Sequence, residues 1–225
     1  MIRRYFIAGT DTGVGKTSLT EALILAARDD GIDAIGLKPI ETGCADGAEA
    51  EDARILAEAS DAPALASFDG FYRAKAPLAP YGATLEGESA PPPLIALVAA
   101  ISRAEAGRSM SLIEGAGGIL VPYSREHTMA DLVRLLDAEL ILVAADRLGT
   151  LSSTLTAVEA AAHRGIKPLA IVLSSVAESD LSARTNAQIL RDLLPEQRIF
   201  TFPYAPAREE RKQHAKKLLN ALLGS

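Results

Sequence analysis

The sequence predicts an α/β fold: a single-domain P-loop architecture with a mostly parallel, twisted sheet and helices on both faces. Three observations carry this expectation. Apolar runs of strand length alternate with runs of helix length along the chain. The strand-like runs are nearly continuous in apolar residues, as in strands covered on both sides. The first of them leads straight into a glycine-rich turn that ends in Gly-Lys-Thr and opens a helix.

The elements follow in order. Arg4 to Ala8 reads as the first strand, and Ser18 to Arg28 as the helix behind the turn. Strands are expected at Ala34 to Leu37, Ser111 to Ile113, Leu140 to Ala144, Leu169 to Leu173 and Ile199 to Phe202. Helices are expected at Asp52 to Ala59, Pro93 to Ala106, Ala130 to Leu136, Leu151 to His163, Ala183 to Leu194 and Glu209 to Leu223. Thr128 and Asp131 have the spacing of a capping box before the helix carrying Leu132 and Leu135. Gly165 stands where a helix ending near His163 needs its C-terminal glycine. The stretch from Ala62 to Pro93 breaks the rhythm, with Pro77, Pro80 and Pro91-Pro92-Pro93, and reads as one long loop. Neither a second domain nor an internal repeat is expected within residues 1–225.

The turn Gly9-Thr-Asp-Thr-Gly-Val-Gly-Lys-Thr17 carries the chemistry. Glycines let backbone N–H groups turn inward around phosphate oxygens, and the helix N-terminus adds partial positive charge. Lys16 suits the β- and γ-phosphates, and the Thr17 hydroxyl suits Mg²⁺. The loop is unusual, because the common form Gly-x4-Gly-Lys-Ser/Thr would place its first glycine at Thr10, whereas Gly9 lies one residue further out.

Other polar residues fall at strand ends, where open α/β sheets bind ligands. Lys38-Pro-Ile-Glu-Thr-Gly43 follows the second strand, Glu114-Gly-Ala-Gly-Gly118 the next, and Asp146-Arg-Leu-Gly-Thr150 and Ser174-Ser175 follow later ones. By residue type alone Lys38 reads first as a solvated strand-end lysine. Asp52 reads either as a helix N-terminal charge or as a ligand. Glu114, after an apolar strand, is where a Mg²⁺ site in a nucleotide triphosphate enzyme takes a carboxylate.

Composition narrows the classes. With 225 residues and 48% hydrophobic content the chain is large enough to bury a core. A net charge of −6 leaves no basic footprint for nucleic acid. No apolar run reaches membrane-spanning length, the first strand begins without a signal-peptide pattern, and a cytoplasmic location is expected. The one cysteine, Cys44, excludes an internal disulfide and reads as a spectator thiol. His127, His163 and His214 lack metal-ligand spacing.

These motifs, in this order, resemble the dethiobiotin synthetases: the loop from Gly9 to Thr17, Lys38 to Gly43, Glu114 to Gly118, Ala130-Asp-Leu132 and Leu148-Gly-Thr-Leu151, covering nearly the whole chain. The resemblance implies a reaction in which 7,8-diaminopelargonate, CO2 and MgATP give the cyclic urea dethiobiotin, ADP and phosphate, by way of a carbamate and its phosphoric anhydride. It implies catalytic roles for Lys38, Lys16 and Thr12, and a Mg²⁺ set of Thr17, Asp52 and Glu114. It implies ATP contacts from Gly13, Val14, Gly15, Lys16, Thr17, Ser18, Asp52, Glu114, Gly115, Ala116, Gly117, Ser174, Pro203 and Glu210. It implies substrate contacts from Thr42 and from Gly149, Thr150 and Leu151, the last three reaching the site from a second subunit of a homodimer. The chain departs from the family where Ser152 and Ser174 stand for asparagines and Pro80-Tyr81 for a Pro-His pair. A serine hydroxyl lacks the paired donor and acceptor of an amide, so base recognition rests on less than phosphate binding does. Two other readings remain. A ParA/MinD-like switch ATPase needs a second lysine where this loop has Asp11. A cobyrinate-type amidoligase domain usually belongs to a longer chain.

Overall fold

The computed structural model describes residues 2–44, 50–178 and 180–224. Its main sheet has six parallel strands in the order β2-β5-β1-β6-β7-β8. They are β1 (Arg3–Gly9), β2 (Ala34–Leu37), β5 (Met110–Gly118), β6 (Glu139–Asp146), β7 (Ala170–Ser175) and β8 (Ile199–Phe202). β1 lies between β5 and β6, with Phe6 level with Ile113 on one side and Leu140 on the other. The strand order reverses around β1, so its carboxyl end opens at the switch point where such sheets bind ligands.

Alternation along β1 divides the core. Phe6 and Ala8 point into one apolar cluster, which includes Leu97 and Ile101 of α4 (Leu94–Ala104), Leu132 and Val133 of α5 (Met129–Leu136), and Ala157 and Ala161 of α6 (Thr150–Ala162). Tyr5 and Ile7 point into the other cluster, with Leu19, Leu23 and Ala26 of α1 (Lys16–Asp29), Leu56 of α2 (Glu51–Ala59) and Ala215 and Leu219 of α8 (Arg208–Leu223). β6 repeats the pattern: Leu140 and Leu142 face the first cluster, Ile141 and Val143 the second. Burial on both faces is why these strands read as unbroken apolar runs.

The residues before α5 form the capping box their spacing predicts: Asp131 Oδ2 accepts the backbone N–H of Thr128 at 2.7 Å and its hydroxyl at 3.1 Å. Gly165 takes φ +70°, the left-handed conformation that ends α6.

The structure corrects the sequence reading in three places. β5 does not end at Ile113 but runs on to Gly118, with an irregularity in its pairing to β1 between Ile7 and Gly9, so Glu114 is a strand residue. The expected helix from Ala183 splits into a 3-10 turn at Leu181–Arg184 and α7 (Asn186–Leu193). The stretch from Ala62 to Pro93 is structured. It holds a 3-10 turn at Pro63–Ser67, strand β4 (Tyr72–Ala74) and α3 (Pro80–Leu85), and β4 pairs in parallel with β3 (Ile40–Thr42) as a second small sheet. Three-residue strands are too short for a period to show. The segment is also tied down by polar contacts. Glu88 accepts the N–H groups of Lys75 and Ala76 at 2.8 and 2.7 Å, Tyr72 donates to the Ser89 carbonyl at 3.0 Å, and buried Tyr123 donates to the Pro92 carbonyl at 2.5 Å.

Candidate active site at the carboxyl edge of the sheet

Gly15 caps α1 at φ +92° and no side chain caps the helix, so the first-turn N–H groups are left to a ligand. A Cβ on Gly15 would also run into the hydroxyl of Ser174 at the end of β7. Gly9, the displaced glycine, has its own reason. A Cβ there would collide with the Asp11 carbonyl oxygen and come within 3.0 Å of Lys16 Nζ, while Lys16 Nζ donates to that same carbonyl at 3.1 Å. The loop folds back on itself at Gly9, so the close approach is needed there, and the Thr10 N–H is free to pair with Val143 O at 2.8 Å.

Two distant chain segments converge on Thr17, and Lys38 bonds both of them. The Thr17 hydroxyl lies 2.9 Å from Asp52 Oδ1 and 3.0 Å from Glu114 Oε1. The Lys38 ammonium lies 2.8 Å from Asp52 Oδ2, 2.5 Å from Glu114 Oε1 and 3.5 Å from the Gly115 carbonyl. Lys38 is 6% exposed and Glu114 fully buried. The solvated strand-end reading of Lys38 is therefore excluded. The phosphate-side cavity, of about 420 Å³, is lined by Thr12, Gly13, Gly15, Lys16, Thr17, Ser18, Lys38, Glu41, Thr42, Asp52, Glu114, Ala116 and Gly117.

The charges tune one another. Burial works to lower the Lys38 pKa, but the Glu114 and Asp52 carboxylates outweigh it and hold it above the usual lysine value. Burial, and next the Lys38 charge, push Lys16 below its usual value. Burial works to raise Asp52, yet Lys38 and the hydrogen bonds from Lys38 and Thr17 hold it below the ordinary carboxylate value. Burial, then Glu41, raise the Cys44 thiol, which fits a spectator.

A divalent cation fits the donor set. Glu114 Oε2 is buried with no hydrogen-bond partner, which a buried carboxylate oxygen rarely is. Thr17, Asp52 and Glu114 supply only oxygen, as Mg²⁺ prefers. Among the described residues no group of three or more His, Cys, Asp or Glu could hold a metal unaided, so such an ion needs phosphate oxygens as well.

A second cavity of about 480 Å³ continues past the loop, lined by Gly13, Val14, Gly15, Ser18, Ser174, Ser175, Val176, Ala177, Phe202, Pro203, Tyr204, Ala205, Pro206 and Arg211. Pro203 and Ser174 line this cavity. Glu210 does not; it is exposed on the first turn of α8, and the lining residue is its neighbour Arg211. Glu21 decides this, accepting Arg211 at 2.8 Å and Arg208 at 2.8 Å and turning that side of α8 inward. Tyr204 was not singled out in the sequence; beside Pro203, its 54% exposure at the cavity rim is its only signal. Gly149, Thr150 and Leu151 form the N-terminus of α6, with Gly149 at φ +96°, and line neither cavity.

Fold and loop together define the class: a P-loop nucleotide-binding protein. A family model described as an AAA domain matches residues 3–211. The ATP-dependent dethiobiotin synthetase BioD of Anaeromyxobacter sp. (strain K) is 39% identical over 223 residues, covering 98% of each chain. That of Aromatoleum aromaticum is 36% identical over 194 residues, covering 84% of this chain and 85% of its own. The chain belongs to the ATP-dependent dethiobiotin synthetase family. Among solved structures, chloroplast FtsY from Physcomitrella patens shares the fold at a TM-score of 0.57 and 16% identity, with 96% of this chain covered. A LAO/AO transport system kinase does so at 0.53 and 14%, with 99% covered. The chain spans only 65% and 58% of those two proteins, respectively.

Proposed function

We propose that the protein is a Mg²⁺- and ATP-dependent dethiobiotin synthetase, carboxylating 7,8-diaminopelargonate with CO2 and closing the ring. The observation that carries this is the Lys38 ammonium, buried and held between Asp52 and Glu114, the two carboxylates that also hold the loop threonine Thr17. A switch ATPase needs no second buried cation from β2 at the γ-phosphate side. A carbamate has to be held as an anion and phosphorylated, and a fixed ammonium stabilises both states.

In this reading one amine of the substrate forms a carbamate with CO2. The loop N–H groups and Lys16 hold the triphosphate; Lys38 neutralises the carbamate oxygen as it attacks the γ-phosphorus and ADP leaves. The second amine then attacks the carbonyl carbon of the mixed anhydride, closing the urea ring and expelling phosphate. Thr17, Asp52 and Glu114 would hold Mg²⁺ together with the phosphates, and the ion would supply charge neutralisation there. Thr12 and Thr42 line the cavity where the diamine end would lie. Positioning supplies most of the rate, since the chemistry asks the protein for no covalent intermediate.

The α6 N-terminus belongs to the same reading. Gly149 to Leu151 line neither cavity of their own chain, and Leu148 beside them is 81% exposed. A homodimer in which this N-terminus binds the distal carboxylate in the partner's site fits both facts. Among the described residues no helix is long and apolar enough to cross a membrane.

The test is direct. Incubation with the diamine, ATP, Mg²⁺ and labelled bicarbonate should give labelled dethiobiotin by mass spectrometry. ATP hydrolysis without any ring product sinks the reading. Sedimentation equilibrium should show a dimer; a monomer with full activity removes the shared-site part.

A further inference from the structure

Glu41 lies three residues beyond Lys38 in the same segment, and none of the roles above uses it. It is buried at 8% exposure, and both of its carboxylate oxygens are engaged. Oε1 accepts the backbone N–H of Asp52 at 3.0 Å and Oε2 that of Ala53 at 2.9 Å. These are the second and third residues of α2, whose N-cap is Ala50, a residue with no side-chain acceptor. The cap that a Ser or Asp at position 50 would make is supplied instead from β3, and a carboxylate there also meets the helix dipole.

The source of the cap matters. Lys38 bonds the Asp52 side chain at Oδ2 while Glu41 bonds the Asp52 N–H, so one short stretch of chain grips Asp52 at both ends. A cap from position 50 would close the helix without referring it to Lys38. Glu41 has a charged neighbour of its own. It is level with Arg73 across the β3–β4 pair, and the Arg73 guanidinium is fixed on the carbonyls of Tyr72 and Ala66 at 2.9 and 3.1 Å.

We propose that Glu41 is a positioning residue for the cation site: it holds the first turn of α2 so that the Asp52 carboxylate faces Thr17 and Lys38. The inference rests on the reading of Asp52 as a cation ligand. Each of its oxygens accepts an N–H of the first turn of α2, so Glu41 acts on the site through Asp52.

Two measurements on Glu41→Ala and Glu41→Gln test it. In metal-free protein, hydrogen exchange at the amides of Asp52 and Ala53 should accelerate in both variants, more in Glu41→Ala. Exchange no faster than in the wild type overturns the inference without reference to any metal. In the presence of ADP, calorimetric Mg²⁺ affinity should fall about tenfold or more, the usual cost of removing an outer partner of a metal ligand. ADP affinity in EDTA should hold. A lowered melting temperature with unchanged Mg²⁺ affinity marks a merely structural cap and also overturns it. Asp52→Ala in the same assay separates the two claims. If Asp52→Ala weakens Mg²⁺ binding and the Glu41 variants do not, the positioning role fails. If Asp52→Ala has no effect, the ligand reading fails. Should Glu41→Ala not fold, the isosteric Glu41→Gln decides alone, on the same two readouts.

Discussion

The Thr17 hydroxyl lies 3.0 Å from Glu114 Oε1 although 97 residues separate them. The contact joins the first turn of α1 to the middle of β5, and β5 is the neighbour of β1. The site is thus assembled at the reversal of strand order, with every polar group mounted on a buried strand or helix end.

Lys38→Ala should reduce dethiobiotin formation by about 100-fold or more, the scale of removing one preorganised charge partner. ADP affinity should stay near the wild-type value, because the proposed phosphate cradle is the loop from Gly13 to Ser18 and not Lys38. Rapid-quench turnover and equilibrium titration read the two effects separately; a lost ADP affinity would place Lys38 in the cradle.

Thr17→Val keeps the β-branched shape and removes the hydroxyl shared by Asp52 and Glu114. The Mg²⁺ concentration for half-maximal activity should rise, with a smaller change in metal-free ADP binding. An unchanged Mg²⁺ dependence would remove Thr17 from the ligand set.

Gly15→Ala should cost about 1–3 kcal/mol of stability through its positive φ alone. The clash with Ser174 adds to this. Adding Ser174→Gly should recover only part of the loss in chemical denaturation. Full recovery would mean that the left-handed backbone contributes nothing.

Asp180 accepts the N–H of Leu148 at 2.7 Å, just before α6, and that of Ser182 at 2.8 Å. Its bonds from the Ser182 side chain and then from the Leu148 N–H hold its pKa below the usual carboxylate value. A depressed folded-state pKa stabilises above the unfolded value, near 3.9, and the contribution is lost as pH falls through the folded one. Hydrogen exchange at Leu148, corrected for its intrinsic pH dependence, should lose protection over that acid range. Asp180→Asn should lack the acid-dependent loss.

Tyr123→Phe leaves the half-buried Pro92 carbonyl without its 2.5 Å donor. A loss of about 0.5–1.5 kcal/mol is expected. Limited proteolysis should then cut within 76–92 sooner than in the wild type; equal rates would show that Glu88 and Tyr72 hold the segment without it.

Much of this was legible because local rules act locally. The main-sheet strands lie where continuous apolar runs stand, since burial on both faces leaves a signal that needs no partner to read. Glycines 13, 15 and 165 were legible for the same reason: a positive φ favours glycine wherever it occurs. Glu41 and Tyr204 left no such mark. A glutamate capping a helix ten residues downstream has no spacing rule, and a tyrosine at a cavity rim looks like any exposed aromatic. Glu210 and Arg211 differ by one position on α8, and only the pull of Glu21 chooses between them.

By itself the sequence determined the α/β class and the phosphate loop with Lys16 and Thr17, because these carry their chemistry in their type and their place after an apolar run; Lys38 and Asp52 each kept two readings by type, and only the resemblance set them beside Glu114. Tertiary structure alone decided that Lys38 is a buried ion-pair partner and not a solvated lysine, that Asp52 is held from both ends, and that Gly9 stands where it does because the loop turns back onto its own lysine. Those outcomes depend on distances between segments far apart in the chain, and a charge acquires its role only when the fold removes water from around it and brings its partners within 3 Å.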